Sequence, residues 1–184
     1  MLFLTLAIDT LDVDNLIKQI AKGDKSALSD LYAETRAAVY GFSLSITKNR
    51  DDSEDVLQDT YIKVWQNAGN YQAKGTPMAW ILSITKNLSL MKLREHGRKQ
   101  DLAPEDWDAL FHDADPTATI DDRHLLEAAL TILSDEEREV VLLHAISGLK
   151  HREIADLLNI ALATVLSKYH RGLKKLRNYL ESMQ

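Results

Sequence analysis

Helix-spaced apolar residues fill two blocks of this chain, and between them lies a stretch, residues 100–123, with eight Asp/Glu against one Lys/Arg. Its net charge of −7, two of the chain's three prolines and an absence of glycine mark a linker rather than a third core. The flanks are balanced, with 13 Lys/Arg against 12 Asp/Glu in residues 1–99 and eight against eight in residues 124–184. The overall charge of −6 is therefore the sum of +1, −7 and 0, and it does not exclude nucleic acid as a partner of either flank.

At 184 residues, with 45% hydrophobic and 27% charged positions, the chain has room for two small folded units and the composition of an ordinary soluble protein. It contains no cysteine, which excludes a disulfide framework, a thiolate metal site and a thiol nucleophile, and fits a reducing cytoplasm. The apolar start, Met1 to Ile8, lacks a basic flank and falls far short of the ~20 residues that span a bilayer. It reads as a short leader or frayed end, so no membrane span is expected.

In the first block Leu16, Ile17, Ile20, Ala27, Leu28, Leu31 and Tyr32 recur at spacings that give helices one buried side. After the polar break Lys48-Asn49-Arg50, Asp51 and Glu54 form an acidic helix start, followed by Val56, Leu57, Tyr61, Val64 and Trp65 on one side. Asp55, Gln58, Asp59 and Lys63 occupy the other. Gly69 and Gly75 bracket a loop, Thr76 before Pro77 predicts an N-cap, and the next helix runs to about His96 with Gly97 as its stop. Lys86, Lys92, Arg94, Arg98 and Lys99 gather at its far end. With Tyr71, Lys74 and Trp80 they form a mixture that suits single-stranded nucleic acid, rings stacking on bases and cations following phosphates. A solvated helix end and a core tryptophan are the competing readings.

In the second block two apolar stripes, Leu125, Leu126, Ala129, Leu130 and Leu133, then Val140, Val141 and Leu142, are separated by Ser134-Asp135-Glu136-Glu137, a capping box. Beyond Gly148 come a helix of about eight residues, a break at Asn159-Ile160-Ala161 and a longer helix, the layout of a helix-turn-helix. Ile154 and Leu158 point inward, Ala155 permits close approach, Asn159 tolerates the left-handed conformation and Ile160 plugs the bend. Val165, Tyr169, Leu173 and Leu176 continue the buried stripe. From Thr164 to Arg177 the second helix carries Lys168, Arg171, Lys174, Lys175 and Arg177 and no acid, which suits a DNA major groove. An ordinary helical hairpin with a basic end is the plainer alternative.

The segments DDSEDVLQDTYIKVWQNAGNY and MAWILSITKNLSLMKLREHGR resemble the second domain of the extracytoplasmic-function (ECF) sigma factors, group IV of the sigma-70 family. The segment LSDEEREVVLLHAISGLKHREIADLLNIALATVLSKYHRGLKKLR is similar to that family's fourth domain. The resemblance implies an all-α chain of two small helical domains: a region 2-like bundle over 10–98, an acidic linker over 99–123 and a region 4-like helix-turn-helix over 124–184.

It further implies a promoter-specificity subunit of bacterial RNA polymerase, acting in the cytoplasm with promoter DNA, and held in check by an anti-sigma factor. On that mapping Asp55, Gln58, Asp59 and Lys63 bind the core polymerase. Asn70, Tyr71, Lys74, Lys86, Asn87 and Arg94 open the -10 element and capture a base, where a prebuilt pocket offsets the cost of unstacking. Arg152, Thr164, Ser167, Lys168 and Arg171 read the -35 duplex. Three positions depart from the family's usual pattern: Met91 replaces aspartate, Leu166 replaces a lysine and so removes one DNA contact, and Lys168 replaces arginine. The acidic linker either threads a cationic channel of the polymerase or is a solvated tether.

No catalytic residue, metal or cofactor is expected, because the six histidines form no His-Glu-x-x-His motif and no phosphate-cradling glycine motif occurs. An operator-binding regulator would use the helix-turn-helix alone, and an adaptor would show no salt-dependent DNA affinity.

Overall fold

The computed structural model describes residues 10–72, 75–96 and 131–182, all of whose regular structure is helical. Met1 to Ile8, Lys74, Arg98, Lys99, the linker 99–123 and the stripe from Leu125 to Leu130 lie outside the described residues. Four helices build the first unit: α1 (Thr10–Ile20), α2 (Lys25–Thr47), α3 (Arg50–Asn67) and α4 (Pro77–His96), with a single 3-10 turn at Ala68–Asn70. Three described helices belong to the second: α5 (Asp135–Ala145), α6 (His151–Leu158) and α7 (Leu162–Ser182). The all-α expectation is met.

Helix ends follow local chemistry. Asp24 caps α2 by accepting from the Ser26 and Ala27 amides, and Asn49 caps α3 by accepting from the Asp52 amide at 2.8 Å. The acidic start expected at Asp51 thus lies just after the cap, within the first turn, where Asp51 and Asp52 complement the helix dipole. At α4 the Thr76 carbonyl accepts from the Trp80 amide, but its hydroxyl is buried without a partner and makes no cap. Ser134 and Glu137 close the expected capping box of α5. Asn159 ends α6 at φ 57°, and its side chain tolerates that left-handed turn better than a branched one would.

The core of the first unit is built on Ile17, Leu31, Val39, Val56, Val64, Ile81 and Leu82, all buried. Hydroxyls also pair between helices inside this core. Thr35 of α2 meets the Tyr61 hydroxyl at 2.7 Å, Ser43 of α2 meets Ser89 of α4 at 3.1 Å, and Thr47 meets Ser53 at 2.7 Å. Thr35, Thr47 and Ser53 also bond backbone carbonyls, as Thr60 does to Val56 and Thr85 to Ile81, which lets these hydroxyls tolerate burial.

The second unit packs directly on the first. Tyr40 and Leu44 of α2 share an apolar cluster with Leu133, Val141, Leu142 and Leu176, while Val140, Leu143, Ile154 and Val165 join the cluster that holds Ile17 and Leu82. Polar contacts frame this seam. The Lys48 ammonium lies 2.7 Å from the Asp135 carboxylate, and Lys86 of α4 donates to the Leu157 carbonyl at 2.6 Å. Glu139 faces both lysines, and burial pushes its carboxyl up to about 7 although they pull it down.

Candidate nucleic-acid interface

On α3 the side chains of Asp55, Gln58, Ile62, Lys63 and Gln66 are exposed and Asp59 half-buried, at spacings that place them on one face. Asp55 pairs with Lys92 of α4 at 2.7 Å. Ile62, 52% exposed, is the member of this face that sequence reasoning missed; its signal was an apolar residue four positions beyond Gln58 in a polar stripe. The face is thus polar and charged, with one exposed aliphatic side chain among its polar groups.

At the far end of α3 an open cleft of ≈ 380 Å³ separates its last turn from α4. Lys63, Asn67, Asn70, Trp80, Ile84, Asn87 and Leu88 line it. The pattern of apolar periodicity placed Trp80 near the core but could not place its ring in the wall of a cleft. Asn67 was also missed, and its amide group donates to the Lys63 carbonyl at 2.8 Å. Asn70 and Asn87, selected from sequence, do meet here. Asparagine amides both donate and accept, and beside an indole they can recognise a flat polar ring such as a nucleobase.

Tyr71 borders the same region but is committed elsewhere. Its ring packs 4.9 Å from that of Trp80 and its hydroxyl donates to Asp14 of α1 at 3.0 Å. Burial, with the Asp14 bond, pushes the hydroxyl up to about 12, so it stays protonated and holds α1 to the loop. Arg94 is exposed further along α4, whereas Lys86 is engaged with Leu157 across the seam. Lys74 lies outside the described residues.

In the second unit α6 and α7 form the helix-turn-helix, with Ile154, Ala155 and Val165 buried at its elbow. Arg152, Thr164, Ser167 and Arg171 are exposed, and Lys168 is half-buried. One edge of α7 is tied to the first turn of α5: Lys168 pairs with Glu136, and Lys175 reaches Glu137 at 2.7 Å. Burial alone would raise the Glu137 carboxyl, but Lys175 and Ser134 hold it below the usual carboxylate range. The acids therefore position the cations of α7 without neutralising all of them. Among the described residues no group is arranged to hold a metal ion, and no helix is long and apolar enough to cross a membrane.

Sigma-70 region 2 matches residues 16–99, and Sigma-70, region 4 matches residues 123–176. An ECF RNA polymerase sigma factor SigK of Mycobacterium sp. (strain KMS) is 32% identical over 93% of this chain and 92% of its own. An ECF RNA polymerase sigma factor SigE of Mycolicibacterium smegmatis is 38% identical over 87% of this chain and 65% of its own. The fold is also that of CnrH in complex with the cytosolic domain of CnrY, with a TM-score of 0.62 at 23% identity over 94% of this chain and 99% of that one. It matches RpoE in complex with the anti-sigma factor NepR from Bartonella quintana as well, with a TM-score of 0.61 at 24% identity over 83% and 96%. Two helical units with a polar α3 face, an amide-lined cleft and a helix-turn-helix thus belong to one recognised architecture: the chain is a member of the ECF RNA polymerase sigma factors, which direct promoter-specific transcription initiation.

Proposed function

We propose that the first unit binds core RNA polymerase through the α3 face and captures an unstacked -10 base in the cleft between α3 and α4, while α7 reads the -35 element as duplex. The carrying observation is the convergence of Asn70 and Asn87, chosen from sequence, with Trp80 and Lys63 around one cleft. In this reading Asp55, Gln58, Asp59 and Lys63 serve the polymerase. Asn70, Lys86, Asn87 and Arg94 serve the -10 strand, with Tyr71 bracing the loop and Lys74 following the backbone. Arg152, Thr164, Ser167, Lys168 and Arg171 serve the -35 duplex.

Such a factor works in the cytoplasm without catalysis of its own, as a specificity subunit of the polymerase. An anti-sigma protein that covers the same surfaces is its natural regulator, a kind of partner seen with the RpoE homologue of like fold. Transcription in vitro with core polymerase and a promoter library tests the whole reading. Initiation from a defined promoter class is expected. No initiation with an active core would overturn it.

A further inference from the structure

Among the described residues four large apolar side chains stand exposed, Ile62, Met91, Leu162 and Leu166, and the last two lie four apart on one edge of α7. The core does not need them, because α7 is anchored through Val165, Gly172 and Leu176. Their exposures are 38% and 36%, in the first and second turns after the Asn159 bend. Around them Ala163, Thr164 and Ser167 are also exposed, and no Asp or Glu occurs from Thr164 to Arg177 against five Lys/Arg. Of these five, Lys168 pairs with Glu136, and Lys175 and Arg171 lie 2.7 and 3.9 Å from Glu137, so α5 offsets part of this charge; α7 itself still presents no acid beside the two leucines, and a polyanion is the occupant that its remaining cations favour.

Duplex DNA offers one apolar group on the base edges of its major groove, the thymine C5-methyl. Leucine has no hydrogen-bonding atom, so its contact with a base edge is informative only at that group. We propose that Leu162 and Leu166 are specificity-determining residues that read thymine methyls in the -35 duplex. The inference rests on the assignment of α7 to that duplex. It also gives position 166 a positive role: the lysine contact expected there is exchanged for an apolar one, and not merely lost. Thr164 and Ser167 supply polar contacts beside it, and Arg171 with Arg152 supplies phosphate contacts.

The test uses full-length protein assembled with core polymerase. Duplexes randomised over the -35 element are selected, and each thymine of the selected sequence is then replaced by deoxyuridine, which removes only the methyl. Weakening of about fourfold per contacted methyl is expected. Leu166→Ala or Leu162→Ala should lose a similar factor on thymine DNA and bind thymine and deoxyuridine duplexes equally at the affected position. Three results would overturn the proposal: selected elements without thymine, deoxyuridine that changes nothing, or a methyl effect that survives in both variants. Weaker assembly of Leu166→Ala with core polymerase in the absence of DNA would overturn it too, by giving the leucines to a protein partner. Loss of all salt-dependent, sequence-selective binding by the unsubstituted protein would instead strike the assignment of α7 itself. Because both leucines are partly solvated already, the alanine variants should fold, and an unchanged far-ultraviolet dichroism spectrum checks this.

Discussion

The Lys86 ammonium donates a 2.6 Å hydrogen bond to the carbonyl oxygen of Leu157, joining the middle of α4 to the last turn of α6. The last carbonyls of a helix have no partner within it and carry the negative end of its dipole, so a cation is well placed there. The same lysine is one of the residues assigned to the -10 strand. Its ammonium has two further donors, but the bond to Leu157 holds it at the seam, so on that assignment it reaches a DNA strand most freely once the two units part.

Loss of this bond should therefore loosen the seam. Lys86→Met keeps most of the apolar stem and removes the donor, and it should lower the unfolding free energy by about 1–3 kcal/mol. Denaturant titration measures the loss, and small-angle scattering should show a larger radius of gyration. An unchanged midpoint together with an unchanged radius would show that the bond does not hold the units together.

Glu139 makes the seam sensitive to pH. Its folded value of about 7 lies above the ordinary carboxyl value of 4.5, so its contribution to stability is full below about 4.5 and is lost as pH rises through 7. Glu139→Gln mimics the protonated group. It should leave stability at pH 4 nearly unchanged and raise it at pH 8 by up to roughly 3 kcal/mol. Thermal unfolding of both forms across this range checks the sign, and parallel pH profiles would refute it.

Ile62 lies among the charged residues of α3 and is 52% exposed, so its removal should cost the fold little. Ile62→Asp is expected to change stability by no more than about 0.5 kcal/mol. Its affinity for core polymerase should fall about tenfold or more, as an apolar anchor at the centre of a docking face is lost. Competition against the unsubstituted factor reads this out, and equal competition would remove Ile62 from the interface.

Gly172 is buried where α7 crosses α5, and a Cβ there would meet the Val141 side chain at 3.0 Å. Helix propensity alone favours replacing the glycine, by about 0.8–1 kcal/mol for alanine. For Gly172→Leu the added bulk should outweigh that gain and destabilise the protein by about 1–3 kcal/mol. Calorimetry gives the result, and a raised melting temperature would show that the crossing can widen without cost.

Particular residues show why some of this was legible in the sequence. The Ser134–Glu137 box and the left-handed Asn159 involve groups within four positions of one another, and both appear as expected. Asn49 took the cap of α3 ahead of Asp51 because helical geometry begins at Arg50, which leaves the acids inside the first turn. Ser43, Thr60, Thr85 and Ser89 are buried although a count of apolar periodicity treats them as polar. Asn70 and Asn87 were found through resemblance, whereas Asn67 and Ile62 required coordinates, since neither belongs to a local pattern that separates a wall or docking residue from a solvated one.

By itself the sequence determined α3 to α7 in outline, a helical stripe through the start of the first unit, several helix ends, the bend of the helix-turn-helix and the acid-free stretch of α7 from Thr164 to Arg177. Those features depend on spacing, capping and charge within one or two helical turns. Only the tertiary structure decided that the two units share apolar clusters, that Lys86 is held by a carbonyl 71 positions away, and that Trp80 stands at a cleft beside Asn70 and Asn87. Contacts over such separations depend on how whole helices pack, and their energies are gained only once the intervening chain has been ordered.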